Sequence, residues 1–288
     1  QTGEISDSID IQVTVNDWED VQYLDGKFYI GDFGNNVNGA RTNLRVFRYD
    51  VASQLLDTVR FTYENQSPVT AVAANQTNFD CEAFLVTDSM LYLFTKQWAS
   101  NRSELHKVPN VAGNQVSRLQ GDFNSQGLIT GASFGNQEII LVGYTSLLMP
   151  FLYKLKHYQG DQFLVSNKRR YEINLPFHQV EAVSYDPVND RLAISNEEVS
   201  AFGQTIAAKF FTFGILDEIT AGVGVQNVSK EKDWFKLDES KNMLFGVVDS
   251  VEIRVVDLSG REVYQGALTT NGISTREWKK GNYILYRN

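Results

Sequence analysis

The chain of 288 residues contains few of the residues that usually announce a chemistry. Its single cysteine, Cys81, excludes an internal disulfide and any cysteine-based metal site. Lying in the apolar stretch 79–86, it reads as a small buried hydrophobe. The three histidines, His106, His157 and His178, are scattered, and none forms an HxxxH or HExxH pair, so a zinc-hydrolase signature is absent. The longest near-apolar run, 139–153, is interrupted by Thr145, Ser146 and Pro150 and falls short of the ~20 residues of a membrane helix, so no membrane span is expected. Basic residues are outnumbered, giving a formal net charge of −9 with no Lys/Arg-rich run, which speaks against nucleic acid or anionic lipid as the partner. Neither a charged n-region nor an apolar h-region opens the sequence, so no uncleaved signal peptide is visible.

What the chain does contain is an internal repeat. Segments around Glu19, Glu82, Gly131 and Glu181 align, at spacings of 63, 49 and 50 residues. Each is followed by a turn and a β-rich run, KFYIG (27–31), LYLFT (91–95), IILVG (139–143) and RLAIS (191–195). Third runs follow at 44–49, 104–108, 151–155 and 210–213, and fourth runs at 58–63, 116–123 and 169–175. Four short strands per ~50-residue unit, rich in aromatic and β-branched residues and split by Gly/Asn/Asp turns, match a propeller blade. Sustained helical periodicity is nearly absent. The expectation is an all-β fold: a β-propeller over 1–221 with four recognisable blades, five or six if the full ring is larger. Residues 9–15 (IDIQVTV) read as the outer strand of an incomplete blade. A Gly- and polar-rich linker is expected at 222–232, then a small β-sandwich at 233–288, where Val251, Ile253 and Val255 alternate with charged residues.

The segment Asn16-Asp17-Trp18-Glu19-Asp20-Val21, with Tyr29-Ile30-Gly31-Asp32-Phe33-Gly34-Asn35-Asn36, Cys81-Glu82-Ala83, Thr130-Gly131-Ala132 and Val180-Glu181-Ala182, resembles a family of secreted bacterial β-propeller proteins of largely unassigned function. The resemblance covers about residues 10–215. The stretch Ile253-Arg254-Val255-Val256-Asp257-Leu258-Ser259-Gly260-Arg261-Glu262-Val263, with Lys280-Gly281-Asn282-Tyr283-Ile284-Leu285, is similar to the type A sorting domain of the type IX secretion system of Bacteroidetes. The Pro-Asn-Pro signature of that domain is absent, and Leu237-Asp238-Glu239-Ser240 stands about where it would fall. The resemblance implies an exported, extracellular or cell-surface protein that meets the secretion machinery through its C-terminal domain.

In a propeller the start of each first strand and the end of each second strand reach the same mouth of the channel. The first set supplies Glu19, Glu82 and Glu181, with Asp17, Asp80 and Gln179 in the same orientation by the two-residue period. The second set supplies Asp32, Lys96, Tyr144, Asn196 and Glu197. Carboxylates crowded at one mouth raise each other's pKa. A Ca²⁺ held by Glu19, Glu82 and Glu181 would relieve that conflict, since it takes roughly 6 to 8 oxygen ligands. Lys96 would act as a counter-ion. The alternative is that these glutamates are structural, bonding backbone N–H groups or pairing across blades.

Two functions follow. One is a binding or scaffold module for a small molecule, glycan or protein, with no catalytic residue. The other is a Ca²⁺-dependent hydrolase of phosphoesters or lactones, with Glu82 as base and Lys96 as electrophilic stabiliser. Trp98, Tyr144 and Phe33 are candidate stacking surfaces. The GxSxG of residues 131–135 falls on a first strand, the wrong setting for a nucleophile elbow. The loop 34–39 has the composition of a Ca²⁺ loop without the EF-hand ligand order.

Overall fold

The computed structural model describes residues 7–175, 177–201, 204–214, 218–221, 235–238, 243–246, 250–257, 261–278 and 281–287. Among them every regular element is a strand, and no helix is long and apolar enough to cross a membrane. The fold is all-β. The chain divides into two compact units, residues 1–213 and 214–288.

The first unit is a series of blades. Blade 1 is β1 (Trp18–Leu24), β2 (Lys27–Asp32), β3 (Arg45–Asp50) and β4 (Leu55–Tyr63). Blade 2 is β5 (Asp80–Val86), β6 (Met90–Lys96), β7 (Ser103–Pro109) and β8 (Gly113–Phe123). Blade 3 is β9 (Leu128–Phe134), β10 (Glu138–Tyr144), β11 (Pro150–Lys156) and β12 (Asn167–Glu172). Blade 4 has β13 (Val180–Asp186) and β14 (Arg191–Asn196), then a small hairpin of β15 (Val199–Ala201) and β16 (Gln204–Ile206), then β17 (Lys209–Gly214). In blades 1 to 3 the strands pair antiparallel in chain order, and in blade 4 the order is β13-β14-β17. Blades 1 and 2 are joined further by a parallel ladder between their outer strands, with Val59 opposite Gly113 and Tyr63 opposite Ser117.

Burial follows from position in the series. Blade 2 has neighbours on both faces, so β5 (DCEAFLV) is buried along its whole length, and beyond Asp80 and Glu82 at the channel end it is apolar throughout. Phe84, Leu91, Leu93 and Val108 pack towards Phe33, Val46 and Phe61 of blade 1. By the two-residue period, Leu85, Tyr92, Phe94 and Leu105 pack towards Ile129, Leu141 and Phe151 of blade 3. Strand β1 has a covered and an uncovered face, and Val21 and Tyr23 are 57% and 61% exposed.

The inner strands are stitched by side chains to main chain. Asp20 accepts the Phe84 N–H at 3.2 Å, and Gln22 Nε2 donates to the Ala132 carbonyl at 3.1 Å. Thr130 Oγ1 donates to the Val180 carbonyl at 2.5 Å, and Ser133 Oγ accepts the Tyr185 N–H at 3.2 Å. Gly131 permits this last approach, since a Cβ there would lie 3.1 Å from the Ala182 Cα. The GxSxG serine is thus a strand residue tying blade 3 to blade 4.

Residues 9–15 form no strand, contrary to expectation. Gln12 adopts a left-handed φ of 45°, which breaks the extended run, and the segment is tied down instead by Arg45 Nη2 donating to the Thr14 carbonyl at 2.6 Å.

The second unit holds two sheets. One has the order β18 (Glu218–Ala221), β24 (Gly281–Arg287), β21 (Val251–Asp257), β22 (Glu262–Leu268). The other is β19 (Phe235–Asp238), β20 (Met243–Gly246), β23 (Ile273–Ser274). Leu244 of the second sheet shares a core with Val251, Ile253, Val255 and Leu268 of the first, a sandwich arrangement. The expected linker at 222–232, and residues 239–240, 258–260 and 280 of the quoted segments, lie outside the described residues.

Candidate functional site at the channel mouth

The starts of the four inner strands and the ends of their partners enclose a cavity of about 640 Å³. In every blade the inner strand carries one unpaired extra residue at this end. Trp18 faces Asp32 and Asp20 faces Gly31, leaving out Glu19. Cys81 faces Thr95 and Ala83 faces Phe94, leaving out Glu82. Val180 faces Asn196 and Ala182 faces Ser195, leaving out Glu181. In blade 3, Ile129 faces Gly143 and Gly131 faces Val142, so the extra residue is Thr130. Such bulges bend the strand and re-aim a side chain. The three glutamates are therefore equivalent as expected, but their counterpart in blade 3 is Thr130 and not Gly131.

The same ladders sort the second-strand residues. Asp32, Thr95, Gly143 and Asn196 share one register position, and Lys96, Tyr144 and Glu197 share the next. A one-residue step reverses the face. Lys96, Tyr144 and Glu197 accordingly line the cavity with Glu19, Glu82 and Glu181, whereas Asp32 and Asn196 do not. Asp32 is buried between Arg41 (3.1 Å) and Arg45 (2.7 Å) and accepts the Asp17 N–H at 2.8 Å. Burial alone would raise its pKa, but the Asp17 N–H and the two guanidiniums outweigh it and hold the carboxyl below the usual range. Asn196 bonds the carbonyls of Glu197 and Ala207 and the Lys209 N–H, joining β14 to β17. Both position the mouth from behind.

Lys96 is the cation of the cavity. Its ammonium contacts the Glu82 carboxylate, and both side chains are almost fully buried. It also lies 4.6 Å from the centroid of the Trp98 ring and 5.1 Å from that of Tyr144. Against it stand five lining carboxylates, Asp17, Glu19, Glu82, Glu181 and Glu197. Asp80 lies just behind: among the described residues Glu19, Asp80 and Glu82 can bring one oxygen each within 4.8 Å of one another. Glu181 is not in that trio, and Asp80 takes the place expected for it. Both Asp80 oxygens are engaged, one by the Asn35 N–H at 2.6 Å and the other by Trp98 Nε1–H at 2.7 Å.

This crowding sets the ionisation. Burial, with Asp17 and Asp80 adding and Lys96 opposing, pushes Glu19 up to about 9. Burial raises Glu181 to about 7, against Lys96 and a 2.6 Å hydrogen bond from Gln179. Glu82 is raised by burial, with Lys96 lowering it and Glu181 and Glu19 adding. For Lys96, burial disfavours the charge, but Glu82 and Glu181 outweigh it and keep the ammonium protonated. One ammonium thus neutralises one carboxylate, and Glu19 accepts no hydrogen bond among the described residues. Gly34 makes the crowding possible, because a Cβ there would lie 2.0 Å from Glu19 Oε1 and 2.4 Å from Asp17 Oδ2.

Other candidates resolve differently. Phe33 is fully buried against Phe84 and Phe61, so it is no stacking surface. Trp18, which the sequence did not single out for stacking, is 44% exposed at the cavity rim. His178 packs on Phe211. The loop 34–39 is an internally bonded turn, with Asn35 bridging the Phe79 carbonyl and the Arg41 N–H. A Ser117–His106–Glu104 chain has contacts of 3.0 and 3.1 Å, but Ser117 and His106 are sealed from solvent in the blade 2 core, where no substrate can reach them.

No protein-family model matches the chain, and no curated protein does. Among the solved structures that match is PorZ of Porphyromonas gingivalis, described as an essential bacterial surface component of the type-IX secretion system. The TM-score is 0.39 at 10% identity, and the match covers 97% of this chain and 38% of that one. The chain therefore spans well under half the length of PorZ.

Proposed function

We propose that the chain is a binding module whose channel-mouth cavity takes a positively charged ligand. The observation that carries this is the imbalance of five carboxylates around one ammonium in a cavity large enough for a small molecule. A cation entering there would take over from the protons that crowding makes Glu19 and Glu181 hold, since Lys96 neutralises only part of the charge. The clustered oxygens of Glu19, Asp80 and Glu82 support Ca²⁺ as one candidate. The hydrolase reading gains no support: Glu82 and Lys96, its base and electrophile, are bonded to each other, which spends both. Export to the cell surface, with the second unit addressing the type IX machinery, belongs to the same proposal and rests on the sorting-domain resemblance of residues 253–263 and 280–285.

The test is thermal unfolding with Ca²⁺, with alkylammonium salts and with chelator at constant ionic strength. A ligand of the native state raises the midpoint, by an amount that grows with the logarithm of its concentration above Kd. The expected result is a rise with one of these cations that the Glu19→Gln variant loses. No rise with any of them would refute the proposal.

A further inference from the structure

We infer that two copies of this chain associate by continuing the blade series. Blade 4 of one copy packs on the uncovered face of blade 1 of the other, whose residues 9–15 supply the missing fourth strand of that blade 4. The inference is independent of the cation-binding reading above.

Three observations carry it. First, blade 1 leaves open the face that every other blade buries. Counted from the bulge residues, the cross-strand pair Val21–Ile30 matches Phe84–Leu93 in blade 2, Ala132–Leu141 in blade 3 and Val183–Ile194 in blade 4. All six of the matching residues are buried, in blade 2 against blade 1 and in blade 3 against blade 2. Val21 and Tyr23 are mostly exposed instead, and the Tyr23 ring meets only its own neighbour Phe28, with centroids 5.0 Å apart. An apolar sheet face of this kind needs a second layer.

Second, blade 4 repeats on its far side the contact by which blade 3 holds it. Ser133, three residues after the bulge residue Thr130, accepts the N–H of Tyr185, which stands four residues after Glu181. The serine recurs as Ser184, three residues after Glu181, and the tyrosine as Tyr23, four residues after Glu19. Ser184 is exposed, as is the nearby Ala182, and these small side chains leave room for the larger Tyr23 and Phe28 rings.

Third, blades 1 to 3 have four strands and blade 4 has three, so among the described residues the edge of β17 is unpaired. Residues 9–15 have no ladder partner and stand two residues before β1, much as the outer strand β8 stands four residues before the next inner strand, β9. Their alternation also fits blade 4: Ile9, Ile11, Val13 and Val15 would extend its buried face, and Asp10, Gln12 and Thr14 the other.

Within one chain both halves of this junction are uncovered, so the occupant is a second copy, and the blade-to-blade packing already present in the molecule continues into it. Used reciprocally, the contact closes a two-fold dimer.

Light scattering on the full chain, from low to high micromolar concentration, is expected to show a concentration-dependent dimer. Val21→Asp puts a charge on a face that is exposed in the single chain. It should leave the unfolding midpoint of the dilute protein unchanged and weaken association roughly tenfold or more, since the charge would be buried unpaired. Val13→Pro removes a ladder donor from the segment and should weaken association likewise. Cross-linking identifies the contact cleanly because the native cysteine, Cys81, is buried. Gln12→Cys and Thr212→Cys are made in separate chains, mixed and treated with a short bismaleimide, and the expected product joins residue 12 of one copy to residue 212 of the other. Monomer at every concentration would overturn the inference. So would a dimer that either Val21→Asp or Val13→Pro leaves unchanged, or a mixture that gives no cross-link. A Gln12→Cys/Thr212→Cys double variant that cross-links within one chain would overturn it too, by showing the series closing on itself.

Discussion

Replacing Lys96 by Met keeps most of the buried stem and removes the charge, so it isolates the electrostatics of the mouth. Lys96 and Glu82 are both almost fully buried, so solvent does little to screen their pairing. Breaking a buried pair by deleting one partner costs about 3–5 kcal/mol, because a charge is left without compensation. Here the orphan can escape by taking up a proton, which makes the loss pH-dependent. The sign follows from linkage. A carboxyl whose pKa is higher in the folded state gives stability that is present below the ordinary carboxylate pKa and is lost as pH rises through the folded value. Wild type already carries several such groups, among them Asp20 and Glu181 at about 7 and Glu19 at about 9, so its stability should decline from about pH 5 towards pH 9. Removing the ammonium raises the neighbouring carboxyls further, so the variant should decline more steeply, by about 1.4 kcal/mol per pH unit for each additional proton held. Urea unfolding at pH 5, 6.5 and 8 measures this. Lys96→Met should lose least at pH 5 and most at pH 8, and adding Glu82→Gln should restore much of the loss at pH 8. A deficit equal at pH 5 and pH 8, or a double variant no more stable than the single one, would refute the reasoning.

Gly34→Ala should cost little stability, because the atoms its Cβ would strike are the far ends of the Glu19 and Asp17 side chains, which can turn aside. Since it displaces Glu19, it should also abolish the midpoint rise with cation, and an unchanged rise would show that Glu19 is not where the cation sits. In a host with type IX secretion, the full chain should reach the cell surface or medium, whereas a chain ending at residue 213 should remain inside, as read by fractionation and immunoblot. Equal export of the two would remove the support for the sorting role.

The strands were legible because burial on one or both faces writes itself into the sequence. The inner strands of blade 2 carry long apolar stretches, the outer strand β4 alternates, and the observed elements fall within a few residues of those expected. The mouth was legible in composition and not in register. Grouping Asp32 and Asn196 with Lys96 and Tyr144 ignored a one-residue offset, which in a strand is the difference between facing the cavity and facing away. Choosing Gly131 over Thr130 is the same error in blade 3. The bulge in each inner strand adds a residue without changing composition, so the ladder that fixes this register cannot be counted out from the two-residue period. The cavity role of Trp18 was hidden for a related reason: its exposure depends on β1 having an uncovered face, a property of its place in the series. The failed strand at 9–15 shows the complementary limit, since alternation is necessary for a strand but a ladder partner is what makes one.

The parallel ladder between β4 and β8 bears on aggregation. These are long outer strands, 9 and 11 residues, and on separate blades each would present a row of unsatisfied N–H and C=O groups to any passing strand. By pairing Val59–Tyr63 with Gly113–Ser117, the two hazards cancel within one molecule. Among the described residues the outer strand of blade 3 has no such partner, and β12 reads Asn-Lys-Arg-Arg-Tyr-Glu, whose adjacent like charges would meet their own copies across an intermolecular pairing. The circumference is thus guarded twice, once by hydrogen bonding and once by charge. Removing the basic triplet would leave the β12 edge open to such pairing.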